Sequence, residues 1–387
     1  MNEFIYLDNA STAFPKPNEV TSFMFDFYKT HGVNPSHSGF DLSVETEEIV
    51  VATRKRLTQF FNGKDYKRLI FTYNASDALN LVINGILTPG SHVITSTLEH
   101  NSVLRPLYQQ QLVEKIELDY LPFDGRGYLN PDDLKSKIKS NTRAVILNHG
   151  SNVLGTIQPI AAIGQICLEN EIPFVVNAAQ TAGIIPIDVQ AMNIDVLVFT
   201  GHKALMGPSG IGGFYVSEKV NIKPTRFGGT GIDSLQRTQP EKYPYRLECG
   251  AINIIGVAGL YAGQNWIFEK AMENIYRQEM QLWKMLRDGL EQIEGIHLYC
   301  ATSEIQHLPI LALNIENLPA DRLRQILDEE HHIATQAGFH CAPLVHQQLG
   351  TVERKGMLRI SIGAFNKVEQ IKLMLEAIAE IATMVRK

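Results

Sequence analysis

The sequence predicts an α/β protein with a mostly parallel sheet, followed by a smaller α+β unit. Between about residues 65 and 220, short apolar runs alternate with segments of helical period. That order lays strands side by side and covers them with helices. Beyond residue 260 the alternation gives way to a long helical stretch and then to mixed strands and helices. A chain of 387 residues also exceeds what one hydrophobic core usually supports, so two units are expected, 1–260 and 261–387.

The strands read, in order, as RLIFTY (68–73), HVITST (92–97), AVILNH (144–149), PFVVNA (173–178), VLVFTG (196–201) and GGFYVS (212–217). Their continuous apolar character suits strands buried on both faces. Between them SDALNLVINGIL, NSVLRPLYQQQLVE, NPDDLKSKIKS and PIAAIGQICLENE carry helical spacing, several opening on a capping residue. The stretch from GAINIIG to LRDGLEQI reads as long helical structure. IHLYC, PILALNI and LRISIGAF read as strands, with helices at DRLRQILDEEH and from KVEQ to the last residue.

Composition narrows the function. With 44% hydrophobic and 20% charged residues the chain has an ordinary globular balance. A net charge of −6 argues against nucleic-acid binding through a general basic field. The first residues lack a basic start and a long apolar core, and no apolar run reaches ~18 residues, so a cytoplasmic protein without membrane attachment is expected. Cys167, Cys249, Cys300 and Cys341 are widely spaced, which excludes the usual zinc and C-x-x-C patterns and leaves no metal site to expect. A cysteine that matters here acts as a single thiol.

Ligands of open α/β sheets bind beyond the carboxyl ends of the strands. There the sequence places NASD (74–77), LEHNS (98–102), GSNVLG (150–155), NAAQTAG (177–183) and TGHK (200–203), polar and small residues from five strands. Lys203 in TGHKALMGPSGIGG is the reactive amine among them. From this stretch alone two readings stay open: an ordinary lysine before a glycine-rich turn, or a lysine that condenses with a cofactor aldehyde.

Taken in order, YLDNASTAFPKP, NASDALN, EHNSVLRP, SNVLGTIQPI, AAQTAGIIPIDV, TGHKALMGPSGIGG, GGTG and AGFHCAPLVHQQLG resemble the class V aminotransferase family. The likeness is to fold-type I pyridoxal phosphate (PLP) enzymes, in the cysteine desulfurase and selenocysteine lyase branch. The resemblance implies a large domain with a seven-stranded, mostly parallel sheet and a smaller C-terminal domain. It implies that Lys203 binds the cofactor aldehyde and moves protons, and that the amides of Ala75 and Ser76 meet the phosphate at a helix N-terminus. By the same resemblance Ser76, Thr200 and His202 add phosphate contacts, and His100 stacks on the pyridine ring. Asn152 and Gln180 address the substrate and the cofactor's phenolic oxygen. Thr230 is lent to the neighbouring subunit's phosphate, which implies a homodimer. Arg359 forks the substrate carboxylate. Cys341 takes sulfur from L-cysteine as a persulfide, leaving alanine, and passes it to a sulfur acceptor. Cys249 is expected to pack rather than react.

Two positions depart from the family pattern. Asn177 stands where the family carries an aspartate that pairs with the pyridinium nitrogen, and its neutral amide implies a weaker electron sink. Gln336 stands five residues before Cys341, where the family often has arginine, which removes a charge that would hold an anionic substrate. Other class V reactions (transamination, epimerisation, C–S lysis) and a PLP-binding homologue of low activity are the alternative expectations.

Overall fold

The structure is a computed structural model, described for residues 4–35, 39–302 and 306–386. The chain opens with a short strand β1 (Ile5–Tyr6) and two helices, α1 (Asn18–His31) and α2 (Asp41–Phe60). The alternating region follows: β2 (Leu69–Thr72), α3 (Ala75–Ile86), β3 (His92–Ser96), α4 (Asn101–Glu114), β4 (Glu117–Leu121), α5 (Pro131–Lys137), β5 (Thr142–Asn148), α6 (Ile160–Glu169), β6 (Phe174–Asn177), β7 (Val196–Thr200) and β8 (Gly212–Val216). These strands form one seven-stranded sheet in the order β2-β8-β7-β6-β5-β3-β4. All neighbours run parallel except β8, which is antiparallel to both β2 and β7.

Alternate residues of each strand enter opposite cores. Val145 and Leu147 pack into one cluster and Ala144 and Ile146 into the other; Leu197 and Phe199 face one way, Val196 and Val198 the other. This period of two explains why the strands carry no polar face. β4, at one edge of the sheet, does: its burial rises only at Leu121, whereas β2 at the other edge is buried throughout. Its charged and half-exposed residues leave no apolar run in the sequence. Two glycines of the stretch after Lys203 serve the sheet. A Cβ on Gly213 would meet the Ile70 carbonyl oxygen at 2.3 Å, and one on Gly212 would meet Asn74 Cα at 2.8 Å, so only glycine lets β8 lie against β2.

The long helical stretch is two helices, α7 (Ile254–Lys270) and α8 (Met272–Leu290), broken at Ala271 with φ 59°. Residue 260 lies inside α7, which packs against α1 and α2, whereas α8 packs against the last helix. The remaining elements are β9 (Ile296–Tyr299), β10 (Ile310–Ile315), α9 (Ala320–His331), β11 (Ile333–Ala334), β12 (Gln336–Gly338), α10 (Pro343–Gln348), β13 (Met357–Ser361) and α11 (Val368–Arg386). A four-stranded antiparallel sheet, β12-β13-β10-β9, backs onto a separate core containing Trp283, Leu286, Leu323, Leu327, Met374 and Ile378. Strand β1 pairs in parallel with β11, which ties the N-terminal segment to this C-terminal unit. Among the described residues no helix is long and apolar enough to cross a membrane.

Candidate active site

The carboxyl ends of β2, β3, β5, β6 and β7 open into one cleft of about 450 Å³. Its walls include Ala75, Ser76, His100, Asn152, Asn177, Gln180, Thr200, His202 and Lys203 from the large sheet, and Cys341 and Arg359 from the C-terminal unit. Of the site residues read from the sequence, only Thr230 lies elsewhere. It lines a separate cleft with Arg54, Tyr66 and Glu248.

Each side chain is set by local structure. Asn74 caps α3 by accepting from the Asp77 N–H at 3.0 Å, so the first amides of the helix, at Ala75 and Ser76, lack intrahelical acceptors. His100 caps α4: its Nδ1 accepts the Ser102 N–H at 2.9 Å, which puts the ring proton on Nε2. Burial, with the charges of Lys203 and Arg359, holds His100 down to about 4, a neutral ring at physiological pH. It is both a capping histidine and a wall of the cleft. The Thr200 hydroxyl is buried and has no hydrogen-bond partner among the described residues.

Lys203 carries its amine deep in the cleft, although part of the side chain is reachable by solvent. Burial, helped by the Arg359 charge, pushes it down to about 7. Its neighbour His202 is held by the N-terminal segment: the His202 carbonyl accepts from Ala13 N–H, Thr12 Oγ1 and Lys16 Nζ, at 3.2, 3.0 and 2.5 Å. Gln180 Nε2 donates to the carbonyl of Ala10 in the same segment at 3.0 Å. Asn177, 3% exposed, accepts the Ala179 N–H on Oδ1 at 3.2 Å.

Cys341 is exposed on the turn between β12 and α10. His340 and Cys341 both adopt left-handed backbone, φ 49° and 57°, a costly pair for non-glycine residues. The large domain clamps that turn. Asn152 Nδ2 donates to the His340 carbonyl at 2.7 Å and the Asn101 N–H to the Cys341 carbonyl at 2.6 Å. Arg359, on β13, is 3% exposed and so is no surface arginine. Its Nη2 donates to Asp8 Oδ1 and Ser11 Oγ at 2.7 and 2.8 Å, and its Nη1 to the Asn152 carbonyl at 2.9 Å. Gln336 sits directly across the ladder from Arg359, so an arginine there would face a like charge. Cys249 lies outside the cleft, beside Gly228.

Sequence reasoning passed over Asp8, Ser11 and Glu99, although all three lie in the quoted motifs. Glu99 is fully buried. Its Oε1 accepts from Ser96 Oγ at 2.6 Å and the Asn148 N–H at 2.8 Å, and its Oε2 has no partner among the described residues. Burial raises it to about 8, which favours the protonated carboxyl, and it joins the ends of β3 and β5.

Residues 5–374 match the pattern of the aminotransferase class-V family. The chain belongs to that family. A cysteine desulfurase of Salmonella agona is 31% identical over 97% of this chain and 93% of its own length. Among solved structures, an apo cysteine desulfurase of Thermococcus onnurineus superposes with a TM-score of 0.93 at 31% identity, covering 99% of this chain and 96% of the other. A cysteine desulfurase of Escherichia coli gives 0.88 at 26%, covering 99% and 95%. The family and its cysteine desulfurases depend on PLP, and the fold is the fold-type I architecture: a mostly parallel seven-stranded sheet with a C-terminal α+β unit.

Proposed function

We propose that the chain is a PLP-dependent cysteine desulfurase, with Lys203 holding the cofactor and Cys341 receiving the sulfur. The observation that carries this is the meeting of a buried lysine amine, a buried arginine and an exposed cysteine on one cleft, drawn from the two units of the molecule. The residues present fit the cofactor. The unpartnered Thr200 hydroxyl and the free amides at the start of α3 suit a phosphate, and His202 and Ser76 stand beside them. The neutral His100 ring suits a flat partner, and a lysine poised near 7 has its lone pair free at physiological pH.

When bound, PLP supplies an acceptor for the electrons released at the substrate's α-carbon. Lys203 moves the proton at that carbon, being neutral enough to take it and acidic enough to return it. Arg359 binds the α-carboxylate, with Asn152 beside it. Cys341 Sγ attacks the substrate sulfur; the S–S bond forms as the C–S bond breaks. The products are a persulfide on Cys341 and alanine after the carbon is reprotonated.

The acceptor of that persulfide is a further protein or a small thiol reaching the exposed turn. Thr230 lies outside its own cleft, which supports a homodimer in which it reaches the partner's phosphate site; an active PLP-loaded monomer in sedimentation would refute this. Unpaired cysteines suit the reducing cytoplasm.

The test is alanine and sulfide release from L-cysteine by the PLP-loaded protein. Turnover should fall at least a hundredfold in Cys341→Ala while cofactor uptake is kept. Undiminished turnover in that variant would instead assign a reaction that needs no thiol.

A further inference from the structure

Asn177 has one end fixed and one end free. A backbone N–H only donates, so the Asn177 atom 3.2 Å from the Ala179 nitrogen must be the carbonyl oxygen. Turning the amide over would set NH₂ against N–H. The side chain is therefore presented NH₂ first. Asn177 lines the cleft, and no described residue accepts a hydrogen bond from Nδ2. A carboxylate at this position would keep the same backbone bond with one oxygen and present a second acceptor. The asparagine presents a donor.

The rest of the cleft agrees in sign. None of its lining residues is an aspartate or glutamate. Of the acids close by, Asp8 is committed to Arg359 and Ser11, and Glu99 lies buried at the ends of β3 and β5, bonded to Ser96 and Asn148. The titratable groups on the walls are His100, His202, His340, Lys203, Cys341 and Arg359. Arg359 is a permanent cation, and the three histidines are held neutral chiefly by burial. Nothing here compensates a second positive charge on a ring.

Building on the cofactor reading above, we propose that Asn177 Nδ2 donates a hydrogen bond to the pyridine nitrogen of PLP and holds that nitrogen unprotonated. The polarity is the reverse of the carboxylate-to-pyridinium pair. A protonated nitrogen would face the NH₂ donor to donor, whereas the lone pair of a neutral ring accepts from it. The ring then withdraws electrons less strongly than a pyridinium, and Asn177 is the residue that sets this.

The test loads the protein with PLP carrying ¹⁵N at the pyridine position and records its NMR shift from pH 6 to pH 9. The expected signal is that of an unprotonated pyridine at every pH, with Asn177→Asp moving it to the protonated value. A protonated signal in the unaltered protein overturns the proposal, as does an Asn177→Asp signal that does not move. An analogue with carbon in place of the ring nitrogen should bind about tenfold more weakly, because Nδ2 loses its acceptor; equal binding also counts against the proposal. Failure of the protein to take up one PLP per chain, reducible onto Lys203 by borohydride, would instead remove the cofactor reading itself.

Discussion

Arg359 Nη2 lies 2.7 Å from Asp8 Oδ1, so the buried guanidinium is ion-paired within the protein before a substrate carboxylate arrives. Ser11 bridges the two, donating to Asp8 at 2.9 Å and accepting from Arg359 at 2.8 Å. The arrangement fixes the plane of the guanidinium and keeps a buried cation compensated.

Asp8→Asn is expected to leave Arg359 buried with a weaker partner. Stability should fall by about 1–3 kcal/mol, read by urea unfolding of the cofactor-free protein. KM for L-cysteine should rise more than kcat falls, because the group disturbed holds the substrate rather than the reacting carbon. A variant as stable as the parent with an unchanged KM would show that the pair does not position Arg359.

Lys203 should react as an amine of low pKa. An ordinary lysine at 10.5 is neutral in well under about 1% of molecules at pH 8, and one near 7 in about 90%. Acylation of Lys203 in the cofactor-free protein should therefore rise through pH 7 and flatten above 8, followed by peptide mass spectrometry. The folded state binds this proton less tightly than the unfolded chain, so this group's contribution to stability increases with pH between about 7 and 10.5, and its penalty is complete below 7. Labelling that climbs steadily past pH 9 would place the amine in a water-like setting.

The clamp on the Cys341 turn makes a separate prediction. Asn152→Ala removes the bond to the His340 carbonyl, and about 1–3 kcal/mol of local stability with it. The Asn101 amide, bonded to the Cys341 carbonyl, should then exchange its hydrogen faster, and Cys341 should alkylate faster. Unchanged exchange at Asn101 would mean that the turn holds its left-handed pair without the large domain.

The five strand ends were legible because buried parallel strands are apolar throughout and the polar residues that follow mark their exits. The helix from Asn101 to Glu114 was readable at both ends from its cap and period. The pairing of Asp8 with Arg359 was not, since 351 residues separate them and no periodicity spans that distance. Edge strand β4 was missed because its residues are partly solvated. The helices α1 and α2 precede the alternating pattern, which carries no signal for them. The break at Ala271 carries neither glycine nor proline, and the turn there is imposed by the two helices packing on different cores. Glu99 looks like a surface acid in sequence and is recognised as a buried carboxyl only once β3 and β5 are side by side.

The parallel pairing of Ile5 with Ile333 and the bond from Ala10 to Ser361 have a consequence for biosynthesis. Residues 5–10 leave a ribosome long before their partners at 333 and 361 are made. The strands of the large sheet are all translated by Val216, well before those partners. Until residue 361 emerges, the segment that grips the His202 carbonyl is unanchored on its other side, and Asp8 has no guanidinium to meet. Closing a loop of this length adds little to the equilibrium cost but slows the final step. Until then the nascent chain carries every strand of the large sheet but an unfinished cleft.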